Sequence, residues 1–323
     1  MSEENVKKVP NRLQYFPVMM FAIVMGLSGL TLVYKKAHEV LGFPSFMSEF
    51  LSYLTLAVFT MITLTYLLKM VRYMQGVKEE FSHPVRINFF AAISISFILV
   101  SIILKDMHTP LAYNVFVIGA VLHLFFTFYT LSFWITKNLE IQNSNPAWFI
   151  PIVGNLMVPV GGAGVVNHSV LMFYFSVGIF FWIVMLAIIL NRIIFHVQFA
   201  QKFMPTLFIL IAPPTIGLLS YFKLTHTLDM FAQILFNLGL FFTFLLLFMY
   251  KSFLNIKFFI SWWAFTFPLA SMALATMLMY AQLKENVYAY LAYFFIFLVT
   301  VIVVIVAFNT LKHMLKKEIC IME

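Results

Sequence analysis

Long apolar runs alternate with short polar breaks from one end of the chain to the other. The runs fall near 14–34, 47–71, 87–104, 112–136, 147–166, 169–190, 204–222, 229–250, 258–280 and 287–311. Each approaches the roughly 20 mostly apolar residues that an α-helix needs to cross a hydrocarbon core about 30 Å thick. The weakest break, Val166-Asn167-His168-Ser169, carries no Lys or Arg. The apolar stretch around it is about twice the length of one span, so a tight turn is placed there. The pattern predicts an all-α membrane protein of ten transmembrane helices, residues 14–311, with polar tails at 1–13 and 312–323.

Composition agrees, with 63% hydrophobic and 10% charged residues and a mean hydropathy of +0.98. That is more apolar surface than one water-soluble core can bury. The basic segment Met1 to Arg12 leads straight into the first run without an Ala-x-Ala type cleavage site, so the run is read as a retained span. The lone cysteine, Cys320, excludes an intrachain disulfide and a Cys-rich metal site. An even number of spans puts both termini on one side, and the loop charges test this. Fifteen of the twenty Lys and Arg residues fall on the side of the termini, and the other five are Lys35, Lys36, Lys105, Lys223 and Lys284. By the positive-inside rule both termini are cytoplasmic, which predicts a multi-pass protein of a bacterial inner membrane.

The prolines divide the spans into two kinds. Pro17 falls in span 1, Pro84 just before span 3, Pro146, Pro151 and Pro159 in span 5, Pro205, Pro213 and Pro214 in span 7, and Pro268 in span 9. The even-numbered spans have none. Proline removes a backbone donor and clashes with the carbonyl four residues back, so a helix carrying one bends. Lipid-facing helices tolerate this poorly, whereas helices buried in protein or lining a wet cavity can satisfy the freed groups. The alternation predicts five helical hairpins, with bent odd helices inside and straight even helices outside.

The chemistry within the spans is sparse. All twelve acids lie in tails, loops or span ends, so the usual hardware of proton-coupled pumps and the acidic rings of cation channels are missing. His123 alone among the histidines sits well inside a span, where an interhelical hydrogen bond is the expected role. No HExxH pair, Walker loop or GxSxG elbow occurs. The chain therefore offers no catalytic residues and no metal ligands, and calls for no cofactor and no nucleic-acid partner. The polar residues of the odd spans are neutral: Ser28, Thr31, Ser94, Ser96, Ser101, Asn155, Thr215, Ser220, Thr266, Ser271 and Thr276. They can bond helix to helix, or together form an uncharged wall that holds an anion through hydroxyl donors and helix-end dipoles.

Span 9 carries the densest cluster, Ser261-Trp262-Trp263-Ala264-Phe265-Thr266-Phe267-Pro268-Leu269-Ala270-Ser271. Trp263, Phe267, Ser271 and Leu274 share one helix face by spacing. A bulky aromatic in a narrow uncharged pore blocks ions by size and by dewetting. With forty phenylalanines present, the residues alone favour a core role for Phe267.

Four strings carry a family resemblance. They are Ser82-His83-Pro84-Val85-Arg86-Ile87-Asn88-Phe89 before span 3, Asn145-Pro146-Ala147-Trp148-Phe149-Ile150-Pro151 at span 5, Ala212-Pro213-Pro214 in span 7, and Trp263 to Ala273 in span 9. In this order, on these spans, the chain resembles the tellurite-resistance protein TehA and C4-dicarboxylate transporter family, relatives of the plant slow-type anion channels. The resemblance implies five hairpins in a quasi-fivefold ring whose odd helices line a central pore, and a homotrimer in which each subunit has its own pore. It also implies that Phe267 occludes that pore. The associated lining candidates are Trp263, Pro268, Ser271, Leu274, Pro17, Pro151, Asn155, Pro213 and Pro214. The implied cargo is a small anion such as nitrate or chloride, or for other members a malate-like C4-dicarboxylate. The alternatives are a carrier for C4-dicarboxylates or oxyanions and a drug or tellurite efflux protein. A carrier calls for paired cationic clamps, and none lies within the spans.

Overall fold

The computed structural model describes residues 12–320. Ten apolar helical segments follow one another: α1 Val18–Leu41, α2 Ser45–Arg72, α3 Arg86–Leu104, α4 Thr109–Thr136, α5 Pro146–Gly162, α6 His168–Phe195, α7 Gln201–Thr225, α8 Met230–Phe248, α9 Ile260–Leu283 and α10 Asn286–Leu315. No strand occurs among the described residues. The weak break resolves into a turn, closed by Asn167, whose side chain accepts from the Ser169 amide at 2.8 Å as it caps α6. Of the expected N-terminal tail, residues 1–11 lie outside the described residues.

Nine of the ten segments are long and apolar enough to cross a bilayer, and α5 falls short by residue count. Its geometry makes up the difference. Pro146–Phe149 and Gly154–Leu156 are 3₁₀ turns set between α-helical pieces. At about 2.0 Å per 3₁₀ residue and 1.5 Å per α residue, the segment reaches roughly 30 Å.

The two kinds of helix predicted from proline are present, but the bend takes a different form. Each odd helix opens with a 3₁₀ stretch and then becomes α-helical: Val18–Met20 in α1, Arg86–Phe90 in α3, Pro146–Phe149 in α5, Gln201–Ile211 in α7 and Ile260–Phe265 in α9. The even helices are α-helical throughout. Proline is tolerated in the first turn of an α-helix, where its missing N–H has no intrahelical acceptor to lose. Pro213 and Pro214 open the α-helical part of α7, and Pro268 lies in the first turn of that of α9. These prolines mark where each α-helix restarts after the 3₁₀ stretch, and do not kink a continuous one. Pro17 corrects the expectation further: it precedes α1, with extended backbone. Pro44 and Pro110 flank or open the even helices α2 and α4, where they break nothing.

Over the most apolar window of each helix, 72–83% of residues are buried in α1, α3, α7 and α9, against 22–39% in the even helices. Nearly every residue of α5 is buried. The odd helices pack on one another in a closed cycle, α1 on α3, α3 on α5, α5 on α7, α7 on α9 and α9 on α1. Their 3₁₀ openings meet at one end, so all five run in the same direction. Each even helix lies in the outer groove between two odd ones: α2 over α1 and α3, α4 over α3 and α5, α6 over α5 and α7, α8 over α7 and α9, α10 over α9 and α1. Large side chains such as Leu64, Phe128, Phe180, Phe241 and Phe297 point outward from this layer, as lipid contact requires. The α1–α9 contact depends on glycine. A Cβ on Gly26 would stand 2.2 Å from Thr266 Oγ1, and one on Gly29 would stand 2.8 Å from Ala270 Cβ.

A short helix, Met74–Ser82, lies between α2 and α3 and was not legible as a separate element in the hydropathy pattern. At the same end Arg12 donates to the Lys317 carbonyl at 3.1 Å, so the two terminal segments meet on one face.

Candidate functional site

The five odd helices converge on one cavity of about 70 Å³ at the level where their 3₁₀ openings give way to α-helix. Every odd helix contributes to its wall, for example Met25 of α1, Ile95 of α3, Val153 of α5, Ala212 of α7 and Phe267 of α9. No charged side chain lines it.

Phe267 is buried, 8% exposed, and its ring lies against α1. A Cβ on Gly29 would stand 3.3 Å from Phe267 Cδ2, so the missing side chain of Gly29 makes room for the ring. Burial varies along the helix faces that carry it. On the side of the termini Ala22, Met25, Ala212 and Ala264 are half-buried. At mid-depth Gly29, Ile216 and Phe267 are buried. Beyond it Leu32, Leu219 and Leu274 are half-buried again. These leucines stand seven residues after Met25, Ala212 and Phe267, two turns further along the same helix faces. On α1, α7 and α9, buried residues at the depth of Phe267 thus stand between half-buried ones.

Of the candidate residues, Trp263, Phe267, Pro268 and Pro213 come together in the cavity wall. Trp263 is oriented from outside by a hydrogen bond from its indole N–H to Thr310 Oγ1 of α10, 2.9 Å. The other candidates stand elsewhere. Pro17 lies at the end where the 3₁₀ openings meet. Pro151 uses its carbonyl to accept from Thr127 of α4 at 2.7 Å, and Pro214 lies beside Pro213 but outside the wall. Leu274 is one step further along the axis. Asn155 donates to Thr127 Oγ1 at 2.9 Å and to the Ile152 carbonyl at 2.8 Å. The Ser271 hydroxyl pairs with Thr215 Oγ1 at 2.7 Å, across α7 and α9.

The neutral polar residues therefore act chiefly between helices. Thr31 pairs with Thr55 of α2 at 3.0 Å, Ser96 reaches the Phe21 carbonyl of α1 at 3.3 Å, and Ser94 pairs with His123 Nδ1 at 2.9 Å. His123, the histidine inside a span, is thus an interhelical partner, and its ring fills the space beside Gly154, where a Cβ would meet it at 2.4 Å. Inside a bilayer such bonds satisfy groups that have no water to turn to. The cavity is left with an apolar wall in place of the hydroxyl-lined one that sequence reasoning had allowed.

Sequence reasoning also missed a buried charged cluster beside the start of α1. Glu80, on the short helix, accepts from Lys69 Nζ at 2.7 Å and Tyr66 Oη at 2.9 Å, and its second oxygen accepts from the Val18 amide at 3.2 Å. Lys69 also donates to the Phe16 carbonyl at 2.8 Å. The signal available was a lysine in the last turn of a span and an acid eleven residues on, which hydropathy alone assigns to solvent.

Comparison with known proteins adds a family to this geometry. The chain is 25% identical to the S-type anion channel SLAH3 of Arabidopsis thaliana, over 96% of this chain and 50% of that one. It is 25% identical to the uncharacterized transporter MJ0762 of Methanocaldococcus jannaschii, over 87% of this chain and 92% of the other. To the tellurite resistance protein TehA homolog of Haemophilus influenzae it is 27% identical, over 80% of this chain and 79% of that one. It spans about half the length of the plant channels SLAH2 and SLAH3. The family model described as SLAC1, voltage-dependent anion channel, matches residues 15–311, from before α1 into α10, and the chain belongs to that family.

Proposed function

We propose that the chain passes small monovalent anions, nitrate- or chloride-like, across a bilayer through a pore on the axis of its five odd helices, with Phe267 as the plug. The observation that carries this reading is the convergence of all five odd helices on one uncharged cavity with Phe267 in its wall. An apolar constriction blocks ions by size and by dewetting, and a side chain that swings aside reopens it. The closed cycle of odd helices supports a quasi-fivefold ring of hairpins around that axis. The conducting unit is residues 14–311, flanked by the tails 1–13 and 312–323, and the working assembly is a homotrimer with one pore in each subunit. A C4-dicarboxylate carries two charges, and the cavity holds no cationic pair to receive them, so dicarboxylate carriage and drug or tellurite efflux are the rival outcomes. Currents from purified protein in planar bilayers, with and without a proton gradient, test the reading. Expected are anion currents that reverse at the anion equilibrium potential and ignore the proton gradient. Flux coupled to protons, or saturable dicarboxylate exchange without current, would overturn it.

The orientation follows from charge. The face where the termini meet is cytoplasmic in a bacterial inner membrane, by the excess of Lys and Arg on that side. Tags at Lys78 and Lys202 are expected to report the cytoplasm, and tags at Lys105 and Lys284 the periplasm. Finding Lys78 and Lys105 on the same side would remove the ten-span topology.

A further inference from the structure

The last turn of α6 buries an arginine that the fold does not match with an acid. Arg192 is 4% exposed, and among the described residues no carboxylate comes within ion-pair reach of it. The described acids at this end of the molecule are Glu79, Glu80, Glu140 and Glu318. Glu80 is taken by Lys69 and Glu318 by His313, and neither Glu79 nor Glu140 pairs with Arg192. A buried charge is ordinarily paired and hydrogen-bonded. The negative end of the α6 dipole offsets part of the cost, because Arg192 lies in the last turn. A dipole still leaves the guanidinium donors without acceptors.

The hydrogen bonds of the guanidinium point to what would meet those donors. One face lies over the Phe199 ring, 4.7 Å from its centre to the guanidinium carbon. Nη1 donates to the Val197 carbonyl and so ties the turn after α6 back to the helix. Nε is buried and has no acceptor in the protein, while Nη2 has none either but is not sealed from the surface. The Nε and Nη2 N–H groups lie side by side on one edge, the two-pronged edge that fits two oxygens of a phosphate or carboxylate. The protein's own acceptors do not reach that edge.

The surroundings are those of a lipid boundary. Ile194, Phe195 and Val197 are 64%, 74% and 77% exposed. The helix belongs to the outer layer, with 33% of its most apolar window buried. Apolar side chains so exposed, beside an arginine at a helix end, belong where the hydrocarbon core gives way to headgroups. The anionic groups plentiful at that depth are lipid phosphates.

We propose that Arg192 binds the phosphate of an anionic phospholipid through its Nε–Nη2 edge, at the outer rim of the molecule on the side of the termini. The phosphate supplies the counterion that no acid of the fold provides. It also braces the turn through Val197 and Phe199, just before the long 3₁₀ opening of α7 at Gln201. The site is on the outer layer, off the pore axis, so it stands independently of how anions cross.

The test uses the full chain, delipidated in detergent, and reads the first lipid bound by native mass spectrometry, with the thermal midpoint measured in parallel. Phosphatidylglycerol is expected to outcompete phosphatidylcholine by about tenfold or more at ~0.15 M ionic strength, where exposed surface charges are largely screened. Arg192→Lys keeps the charge and loses the fork, and should cut that ratio severalfold. Lys251→Gln removes an exposed charge from the same end and should leave the ratio unchanged. A parent protein with no preference for phosphatidylglycerol overturns the site, whatever the variants do. An undiminished preference in Arg192→Lys, or an equal loss in Lys251→Gln, reduces the effect to diffuse attraction by a basic surface and also overturns it. If inorganic phosphate at the same concentration raises the midpoint as much as phosphatidylglycerol does, the ligand is a free oxyanion and the lipid assignment fails. If Arg192→Lys disperses an oligomer without changing the lipid ratio, the partner is a carboxylate of a second copy, and the lipid assignment fails likewise.

Discussion

Phe267→Ala is expected to raise anion current across a planar bilayer by about tenfold or more, since lowering the barrier by only ~1.4 kcal/mol suffices for that factor. The ring stands in the wall of the cavity on which all five odd helices converge, packed where Gly29 leaves space. Its removal opens a gap there without removing any charge, so selectivity should survive. A purely structural phenylalanine predicts the opposite sign. Truncating a buried phenylalanine costs roughly 3–5 kcal/mol in soluble proteins, which yields a less stable and less active protein. Phe265 supplies the contrast from two positions away. It is buried edge-on against Phe208, 4.7 Å between ring centres, and Phe253, 5.9 Å, on the side of α9 turned toward α7 and away from the axis. Phe265→Ala should lower stability and leave the open probability of surviving channels unchanged. Currents and thermal stability of both variants, measured in parallel, separate the readings. A folded Phe267→Ala protein that conducts no better than the parent ends the plug assignment.

Several features of this arrangement are legible in the amino-acid sequence. Ten apolar runs and their breaks follow from hydropathy alone, because a bilayer leaves a long apolar segment few alternatives to helix. The proline alternation identified which helices lie inside. It did not give the 3₁₀ openings, since proline reports where an α-helix cannot continue and says nothing of the geometry before that point. In α7 that geometry extends over eleven residues, Gln201–Ile211. Ser271 and Asn155 show the limit at the site. Spacing places Ser271 on the face shared with Phe267, but whether a hydroxyl meets the axis or a neighbour depends on helix separation. Thr215 is close enough to take it. Gly26 and Gly29 carry no such signal, because a glycine in an apolar run reads as filler until the helix opposite it is known. Phe267 was singled out by resemblance, as one of forty phenylalanines, and its place in the cavity wall required the packing of all five odd helices.

The buried pair Lys69–Glu80 predicts a large loss of stability when either charge is removed alone. Its side chains are only 2% and 6% exposed, in a place where an isolated charge finds neither water nor counterion. Glu80 also accepts from the Val18 amide, one of the unpaired donors at the start of α1. It thereby ties the short helix Met74–Ser82 to the first turn of an inner helix. Glu80→Gln preserves shape and removes the charge, leaving Lys69 with neutral oxygens alone. Breaking one side of a buried ion pair costs about 3–5 kcal/mol in soluble proteins, so this variant should unfold well below the parent in a detergent melt. Lys69→Met should be comparably harmful, because it strands the carboxylate. The double variant Lys69→Met/Glu80→Leu removes both charges and should recover much of the loss, since an apolar pair of similar volume often replaces a buried ion pair at little cost. It should not recover all of it, because the Val18 amide loses its acceptor. This non-additivity is the decisive reading. A Glu80→Gln protein as stable as the parent, or a double variant as unstable as the two single losses combined, would show that the cluster is not held together by its charges. The same variants bear on the pathway. Phe16 and Val18 are fixed by this cluster, and Ala22 and Met25, one and two turns on, line the cavity. Loosening the start of α1 should therefore alter currents even in the fraction of protein that remains folded.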